Sequence, residues 1–489
     1  MTFTLENLQA LLPLLITCAT TIFVMLAIAI KRNHWWNATV TVIGLNIALL
    51  SSYYALKVIP QTVTPLFVVD GFSLFFSGLI LIAALGATTL TNAYIESFKR
   101  NREEIYLLIT IATAGGIVLS FSHHMASLFI GLEMMSVALY GMVAYTYDRA
   151  RSLEAAIKYL VLSATASAIM LFGIALIYAQ IGSLAFSEIG AGITQEPSLL
   201  IVVGGMMLLI GLFFKLSLAP FHLWTPDVYE GAPAPVGAFL ATAAKVAVFA
   251  VLVRFAILES NSVLASTPFV ITLIVVACIS MMVGNLLALK QNNIKRMLGY
   301  SSIAHFGYLL LLVLVGGQKF GIEGFAVYLT IYVITSLAAF GVVTLMSQAD
   351  GKRDADMLSD YRGLFWRRPY LASIFTLSLF SLAGIPLTAG FIGKFYVVTA
   401  AVGAGFWGWI GLIFVVLGSS IGIFFYLRTI ISLFLAKKHM HRFDAEINWG
   451  QRTGGIMVLG AAAFILVIGI IPNPLMFIAQ LTQLLWVAQ

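Results

Sequence analysis

Four ionisable residues stand alone inside long apolar stretches of the sequence. They are Glu133 in SLFIGLEMMSVALYGMVAY, Lys215 in GLFFKLSLAPFH, Lys245 in ATAAKVAVFAV and Lys394 in AGFIGKFYVV. An unpaired charge costs about 2.5 to 3.5 kcal/mol at the centre of a membrane helix, so such residues usually mark a proton or ion pathway. These four residues are therefore the main candidates for proton translocation.

The chemistry of a buried lysine suits proton transfer. Burial favours the neutral amine, whereas a nearby carboxylate favours the ammonium form, so the group can switch between the two. We expect Glu133 to supply that carboxylate to Lys215; its alternative is a protonated side chain that hydrogen-bonds a neighbouring helix. For the three lysines, the alternative is a structural side chain that reaches an interface.

Two histidines and two further lysines are secondary candidates: Lys158, His222, Lys295 and His305. His222 follows Lys215 by seven residues, which places both on nearly the same face of an unbroken helix. An unperturbed histidine titrates near neutral pH and can relay protons; the alternative role of His222 is to cap a broken helix. His305 lies among hydroxyls in LGYSSIAHFGY, where a proton relay and hydrogen-bonded packing are both open.

The secondary lysines have simple structural alternatives. Lys158 has Glu154 one turn earlier and can form an i, i+4 ion pair with it. Lys295 stands just before an apolar run, so its alternative is a loop charge that sets membrane topology. Arg254 lies near the end of an apolar run, and we expect its side chain to extend to the membrane interface.

Composition excludes a soluble globular protein. Of the 489 residues, 61% are apolar and 10% are charged, and the mean hydropathy is +1.01; soluble domains are about half apolar and a quarter charged. Cys18 and Cys278 form no CxxC or Cys/His pattern, so no metal or redox cofactor is expected in this chain. The phosphate-loop motif is missing, and GAGFWG at 403–408 opens an apolar run instead of following a strand.

Fourteen apolar runs are long enough to cross a membrane, which takes about 20 residues. The predicted spans 1 to 14 are 8–30, 38–56, 71–92, 105–121, 125–146, 155–180, 199–225, 231–257, 268–289, 297–315, 323–347, 370–394, 406–427 and 454–472. Loops after odd-numbered spans hold 20 Lys and Arg residues, and loops after even-numbered spans hold 2. By the positive-inside rule, both termini then lie on the periplasmic side of a bacterial inner membrane. The same loops explain the net charge of +7 without binding to nucleic acid.

Two of these spans should be broken within the membrane. Span 7 contains Pro220, and span 12 contains Pro386 beside Gly384; both residue types interrupt helices. The string SLA stands immediately before each expected break, at 217–219 and 381–383. Because the two spans are five apart, an odd number, they predict inverted repeats of the kind that surround ion pathways in transporters.

We therefore predict an all-α polytopic protein with a single membrane domain over 1–489. Spans 1 to 3 occupy 1–95, a first five-span repeat (spans 4 to 8) occupies 105–257, an inverted second repeat (spans 9 to 13) occupies 268–427, and span 14 with the tail occupies 454–489. The ionisable residues are spread over spans 5, 6, 7, 8, 10 and 12, which suits a hydrated proton wire along the membrane midplane. A converging polar cluster, which a sugar or amino-acid site would require, is missing from the pattern.

Four strings of the sequence resemble a known family: SLFIGLEMMSVALYGMVAY, SLEAAIKYLVLSATASAIMLFGIALIYA, FKLSLAPFHLWTPDVYEGAPAPVGAFLATAAK and NNIKRMLGYSSIAHFGYLL. Over essentially its whole length the chain resembles the subunit N family of bacterial respiratory complex I, the proton-translocating NADH:quinone oxidoreductase. That family belongs with the Mrp-type cation/proton antiporter subunits. The resemblance implies fourteen helices, two inverted five-helix repeats and broken helices 7 and 12.

The resemblance also implies roles for the matching positions. Glu133 would modulate the protonation of Lys215, Lys245 would bridge toward the centre, and Lys394 would serve the exit half-channel. Related subunit M carries Glu at the span 12 position, and subunit L adds a long lateral helix after span 14, so Lys394 and the chain end at Gln489 favour the N type.

The same resemblance implies a translocase subunit that performs no redox chemistry itself. NADH, FMN, iron–sulfur clusters and quinone would bind to other subunits, and quinone reduction there would drive charge changes along the membrane arm. The expected partners are other complex I membrane-arm subunits, including antiporter-like ones, and membrane lipids, but no nucleic acid.

Two other functions stay open on the sequence. The chain would suit a Mrp-type cation/proton antiporter or the membrane part of a hydrogenase complex, which neighbouring genes would distinguish. It would also suit a non-pumping structural subunit of the membrane arm, and proton pumping that survives the loss of Lys215 would support this possibility.

Overall fold

The structure is almost entirely α-helical. The computed structural model describes residues 4–98, 101–195, 198–258, 266–314, 321–347, 353–403, 405–435 and 443–484. Thirteen helices in these ranges are long and apolar enough to cross a membrane. A fourteenth crossing, span 12, consists of two shorter apolar helices, Pro369–Ala383 and Ala389–Gly403. The predicted all-α polytopic fold is confirmed, whereas the domain limits stay a prediction.

Each predicted span corresponds to a helix whose ends mostly shift by a few residues. Spans 1 to 7 comprise Leu12–Ile30, His34–Ala55, Gly71–Ile95, Glu104–Phe121, Met125–Val143, Ala150–Ile181 and Leu199–Leu216. Spans 8 to 11, 13 and 14 comprise Ala234–Ile257, Thr267–Leu289, Ile294–Leu314, Gly321–Leu345, Gly405–Phe434 and Thr453–Ile470. Apolar run length was therefore sufficient to locate the crossings.

Several short elements between the spans do not follow from hydropathy. The additional helices are Leu5–Ala10, Phe186–Gln195, Thr225–Gly231, Leu364–Arg367 and Asn473–Leu484, with 3-10 turns at Leu358–Tyr361 and Trp449–Gln451 and a π-helical turn at Arg254–Leu258. Each of these elements is too short to cross a membrane by itself. Thr225–Gly231 follows the break in span 7, the π-helical turn forms the end of span 8, and Leu5–Ala10 and Asn473–Leu484 flank the first and last spans.

A two-stranded antiparallel hairpin joins spans 2 and 3. Its strands are Gln61–Thr64 and Phe67–Val69. Asp70 follows directly and caps span 3: its carboxylate accepts from the Ser73 N–H at 2.8 Å, and the Ser73 hydroxyl accepts from the Asp70 N–H at 2.8 Å. This reciprocal capping satisfies two N–H groups at the helix start and fixes where span 3 begins.

Spans 7 and 12 are broken, as predicted, and their first halves end in the same way. Ser217 (φ 62°) and Gly384 (φ 79°) adopt the left-handed conformation that terminates a helix. In both cases the N–H of the following residue donates to the carbonyl five residues earlier, at 2.9 and 3.0 Å. This is the Schellman pattern. Its recurrence five spans apart is what inverted repeats predict.

The two SLA strings do not occupy equivalent places. In span 7 the string at 217–219 forms the break itself, because Ser217 is the left-handed residue. In span 12 the string at 381–383 ends the helix, and Gly384 is the left-handed residue. The expectation that SLA stands immediately before each break is therefore wrong for span 7. Shared backbone geometry, and not the shared letters, relates the two breaks.

Span 8 is interrupted as well, which the sequence did not indicate. Its two helices, Ala234–Ala241 and Ala243–Val253, meet at Thr242, which has non-helical backbone angles (φ −115°, ψ −87°). The Thr242 hydroxyl donates to the carbonyl of Ala238 at 2.6 Å, a bond that bends helices without a proline. Lys245 is therefore the third residue of the second helix.

The interrupted span 8 lies in the middle of the bundle. It is entirely buried within the chain, and spans 10 and 11 are nearly so, whereas most residues of spans 1 and 13 are only partly buried or exposed. Small residues allow the central helices to approach closely: a Cβ on Gly284 of span 9 would lie 2.6 Å from the backbone nitrogen of Ala304 in span 10. Lys245 and His305, on spans 8 and 10, therefore face protein.

We expect Gly384→Ala to destabilise the protein by about 1 to 2 kcal/mol, because a left-handed conformation is unfavourable for alanine. The new Cβ would also lie 2.6 Å from Cδ of Lys394 and displace that side chain. Thermal unfolding of the purified protein in detergent measures the effect.

Gly460→Ala is the matched control, because a Cβ at this position on span 14 meets nothing within 4 Å. Alanine is a better helix former than glycine, so this variant should unfold at or above the wild-type temperature. Equal stability of the two variants would contradict the account of the span 12 break.

Candidate functional site

Lys215 lies at the end of the first half of span 7 and is buried. Its Nζ donates to the hydroxyls of Ser136 and Ser163, both at 2.6 Å, on spans 5 and 6. Tyr140 donates its hydroxyl to Ser163 at 2.7 Å. The helix C-terminus carries a partial negative charge that favours a nearby cation, so the break itself provides part of the environment of this amine.

Glu133 lies on span 5, one helical turn before Ser136, and is half-buried. One of its carboxylate oxygens accepts a hydrogen bond from Ser167 at 2.5 Å. Within the described ranges, no direct ion pair joins Glu133 to Lys215. Each of the two groups instead hydrogen-bonds serine hydroxyls of spans 5 and 6.

A row of polar atoms follows the span 7 break. Ser217 Oγ, His222 Nδ1, Thr225 Oγ1 and Tyr229 Oη are buried and have no hydrogen-bond partner in the described part of the chain. Buried polar atoms are normally satisfied by protein or by ordered water. The segment 217–229 thus offers water four binding points between the break in span 7 and span 8.

Lys245 is buried and donates to the hydroxyl of Ser302 on span 10 at 2.5 Å. Its Nζ also lies 4.9 Å from the ring centre of Phe306 and 6.0 Å from that of Tyr229. Tyr229 belongs to the row that follows the span 7 break, so this lysine is next to both the segment 217–229 and span 10.

His305 is the centre of a second polar group on span 10. Its Nδ1 lies 2.8 Å from the hydroxyl of Tyr328 and its Nε2 lies 3.4 Å from that of Tyr426. Tyr426 in turn hydrogen-bonds Ser301, the neighbour of Ser302. Ser301 and Ser302 are adjacent on span 10, and one of them bonds Tyr426 beside His305 while the other accepts from Lys245.

Lys394 lies in the second half of span 12, beyond the break. The predicted span 12 ends at Lys394, whereas in the structure this lysine is the sixth residue of the half-helix Ala389–Gly403. Its Nζ donates to the carbonyl of Ala383, the last residue of the first half, at 2.8 Å, and lies 5.3 Å from the ring centre of Tyr308. Both broken spans thus place a lysine amine at the C-terminal end of their first half.

Lys158 is separate from these buried groups. Its side chain is 43% exposed and forms ion pairs with Glu154 at 2.7 Å and with Asp227 at 2.9 Å. Asp227 also binds Arg296 at 2.7 Å. The i, i+4 pair expected for Lys158 is present, and the lysine belongs to a surface cluster of charges.

Lys295 is not a loop charge, so that interpretation is wrong. It is the second residue of span 10 and is buried, and its Nζ donates to Asp354 and to the carbonyl of Ala232, both at 2.7 Å. Asp354 also accepts from Arg149 and from Tyr94, each at 2.7 Å. The carboxylate of one loop therefore joins spans 3 and 10 with Arg149, the residue that precedes span 6.

Arg254 also differs from expectation, because it does not extend to the interface. It is 1% exposed and forms a two-point ion pair with Asp70 at 2.8 and 3.1 Å. Asp70 is the residue that caps span 3. Hydropathy could not reveal this pair, because its two members are 184 residues apart.

Burial alone would raise the pKa of the Asp354 carboxyl, but the charges of Lys295 and Arg149 outweigh burial and hold that pKa below its usual value. Asp354 is thus an anion that the folded chain keeps charged.

Within the described ranges, no group of three or more His, Cys, Asp or Glu residues is placed to hold a metal ion, and Cys18 and Cys278 are free thiols.

A family model and a relative of known name both match the chain. The model of the family described as NADH:quinone oxidoreductase/Mrp antiporter, TM matches residues 122–422. The chain is 54% identical over 492 residues to the NADH-quinone oxidoreductase subunit N of Ectopseudomonas mendocina (strain ymp), covering 100% of this chain and 99% of that protein.

Solved structures agree. A chain of respiratory complex I from Thermus thermophilus with bound aureothin is 33% identical, with a TM-score of 0.80, over 95% of this chain and 98% of that chain. A chain of the Mrp complex from Dietzia sp. DQ12-45-1b is 19% identical, with a TM-score of 0.82, over 98% of both chains, and shares the fold.

Replacing Asp354 by Asn should destabilise the protein by about 3 kcal/mol at pH 7, because it leaves two buried cations without their anion. A carboxyl whose pKa is depressed on folding stabilises the protein above its unfolded pKa, and this contribution disappears as the pH falls through the folded value. The difference in thermal unfolding between wild type and Asp354→Asn should therefore shrink below about pH 4.

Glu154→Gln serves as the control, because it breaks an exposed ion pair with Lys158 and exposed pairs contribute little. A difference between wild type and Asp354→Asn that is the same at pH 7 and at acid pH would contradict a charged Asp354.

Proposed function

The chain belongs to the NADH:quinone oxidoreductase/Mrp antiporter membrane family, and we propose that it translocates protons as subunit N of a bacterial respiratory complex I. The observation that carries the proposal is full-length identity of 54% to a protein named NADH-quinone oxidoreductase subunit N. Buried amines on spans 7, 8 and 12 give that subunit its own means of moving protons. Electron transfer from NADH to quinone, with all its cofactors, takes place in other subunits.

Lys215 is the proton-accepting group of the first half of the pathway. Its hydrogen-bond partners are two serine hydroxyls, which tolerate both the neutral amine and the ammonium ion. The negative charge of Glu133, beyond those serines, favours the ammonium form. A change of charge near the half-buried Glu133 would therefore load or release the proton of Lys215.

From Lys215 the proton moves toward the second half of the molecule. The unpartnered polar atoms of the segment 217–229 support a water chain to Lys245. Ser302 and Ser301 then lead to His305, whose two ring nitrogens meet tyrosine hydroxyls. Each step exchanges a proton between an amine, imidazole, hydroxyl or water, so no bond other than O–H or N–H changes.

The pathway ends at Lys394. Its amine rests on the carbonyl end of the first half of span 12, where the break provides the same local field that Lys215 has in span 7. We assign this lysine to the exit side, because the second half of span 12 runs from the break toward the face where spans 10 and 14 end.

The chain is a multi-pass membrane protein. We place it in the inner membrane with both termini on the periplasmic side, since the predicted loops after odd-numbered spans carry 20 Lys and Arg residues and those after even-numbered spans carry 2. Four of the 20, Arg151, Lys295, Arg296 and Arg428, lie in the adjoining ends of spans 6, 10 and 13. The charged cluster of Lys158, Asp227 and Arg296 and the buried Asp354 would then lie at the cytoplasmic side.

The chain works together with other antiporter-like subunits of the membrane arm, in line with its relatives in respiratory complex I and the Mrp complex. Full-length similarity to subunit N favours complex I over the cation/proton antiporter and hydrogenase alternatives. A purely structural subunit would not require buried amines at both breaks, because an apolar residue there would avoid their desolvation cost.

Lys215→Ala should lower quinone reductase turnover coupled to proton pumping about tenfold in the assembled complex, because it removes a proton-transfer group. NADH oxidation by artificial acceptors on the hydrophilic arm should stay intact. Reconstituted vesicles allow turnover and proton uptake to be measured together.

Lys57→Ala removes an exposed lysine from the loop after span 2 and should behave as wild type. Loss of both NADH oxidation and quinone reduction in Lys215→Ala would indicate failed assembly, which the amount of purified complex reveals. Unchanged turnover and unchanged protons per electron in a fully assembled complex would reject the pumping role of Lys215.

A further inference from the structure

Glu323 is a buried carboxylate that the pathway described above does not use. It is the third residue of span 11 and is 5% exposed. Its Oε1 accepts a hydrogen bond from the hydroxyl of Tyr396 at 2.5 Å, and Nε2 of Gln480 lies 3.4 Å from both carboxylate oxygens. Among the described residues, its partners are thus a hydroxyl and an amide.

This set of partners differs from those of the buried carboxylates that fix the fold. Asp354 is held by Lys295 and Arg149, and Asp70 is held by Arg254, so each of these carboxylates contacts a cation directly. A carboxyl group bound by neutral hydroxyl and amide groups keeps good partners in both forms, because it accepts as an anion and donates as an acid. Such a group can take up and release a proton.

The position of Glu323 relates it to Lys394. Tyr396 is on the same half-helix, Ala389–Gly403, two residues beyond Lys394 and hence about 3 Å further along the axis. Gln480 is on the helix Asn473–Leu484 that follows span 14. Glu323 therefore lies between the half-helix that carries Lys394 and the face at which span 14 ends.

We propose that Glu323 is the exit carboxylate of the pathway, which accepts the proton released by Lys394 and passes it to water at the periplasmic face. Residues two apart on a helix point about 200° apart around its axis, so water and the Tyr396 hydroxyl carry the proton between the two groups. The ammonium of Lys394 becomes an amine as Glu323 becomes an acid, and release to water restores the carboxylate.

This assignment rests on the proposed proton translocation. It competes with a purely structural role, in which Glu323 holds spans 11 and 12 and the C-terminal helix together. Glutamine and aspartate separate the two roles. Glutamine has the size of glutamate and accepts the Tyr396 hydrogen bond but cannot ionise, whereas aspartate ionises but is shorter by one methylene.

The test compares Glu323→Gln, Glu323→Asp, Lys394→Ala and Tyr396→Phe in the assembled complex, reconstituted in vesicles. Quinone reductase turnover and proton uptake are measured together, and NADH oxidation by an artificial acceptor confirms assembly.

We expect turnover to fall about tenfold in Glu323→Gln and to stay within about twofold of wild type in Glu323→Asp. Tyr396→Phe should lower turnover in the same direction but less. Glu188→Gln, at an exposed glutamate in the helix Phe186–Gln195, is the matched control and should equal wild type.

The outcomes distinguish the two proposals. If Glu323→Gln equals wild type while Lys394→Ala is impaired, the exit role of Glu323 is overturned and proton translocation stands. If Glu323→Asp is as impaired as Glu323→Gln, the side chain acts through its fit and the exit role is also overturned. If both Glu323→Gln and Lys394→Ala equal wild type, the proposed function fails. If Glu323→Gln does not assemble, Tyr396→Phe provides the test. Wild-type turnover in that variant would overturn the exit role.

Discussion

The pathway depends on two helix ends inside the membrane, each of which holds a lysine amine. A helix that stops within the bundle leaves carbonyl groups without intrahelical partners, and its dipole makes this end attractive to cations. Lys215 stands in the last turn of one such end, and Lys394 reaches back to the carbonyl of Ala383 at the other. The breaks and the amines therefore stabilise each other.

The molecule contains two kinds of polar contact, one near the ends of the buried spans and one along their middle. Near the ends of the buried spans, carboxylates pair directly with cations, as Asp354 does with Lys295 and Asp70 with Arg254. Such ion pairs position the helices. Along the middle, the amines of spans 7 and 8 meet serine hydroxyls, which accept from an ammonium ion and donate to a neutral amine. Direct ion pairs therefore lie near the ends of the spans, and lysine amines that can gain or lose a proton lie in the middle.

The sequence predicted the features that have local causes. Apolar length located the spans, and prolines and glycines located the breaks in spans 7 and 12. Contacts between distant segments could not be predicted: Lys295 looked like a loop charge because its partner Asp354 is 59 residues away. The interruption at Thr242 was missed because its threonine, without a proline, looks like an ordinary residue of an apolar helix. Glu323 was missed because it stands at the edge of an apolar run. Charged residues are common at such positions, so the sequence does not distinguish it from an ordinary interfacial residue.

The central claim is that hydrated polar groups connect Lys215 with Lys245. An electron-microscopy map of the assembled complex that resolves ordered water tests it directly. The account predicts water within hydrogen-bonding distance of His222 Nδ1, Thr225 Oγ1 and Tyr229 Oη, forming a continuous chain between the two amines. A dry gap in which apolar side chains fill the space around these three atoms would contradict it.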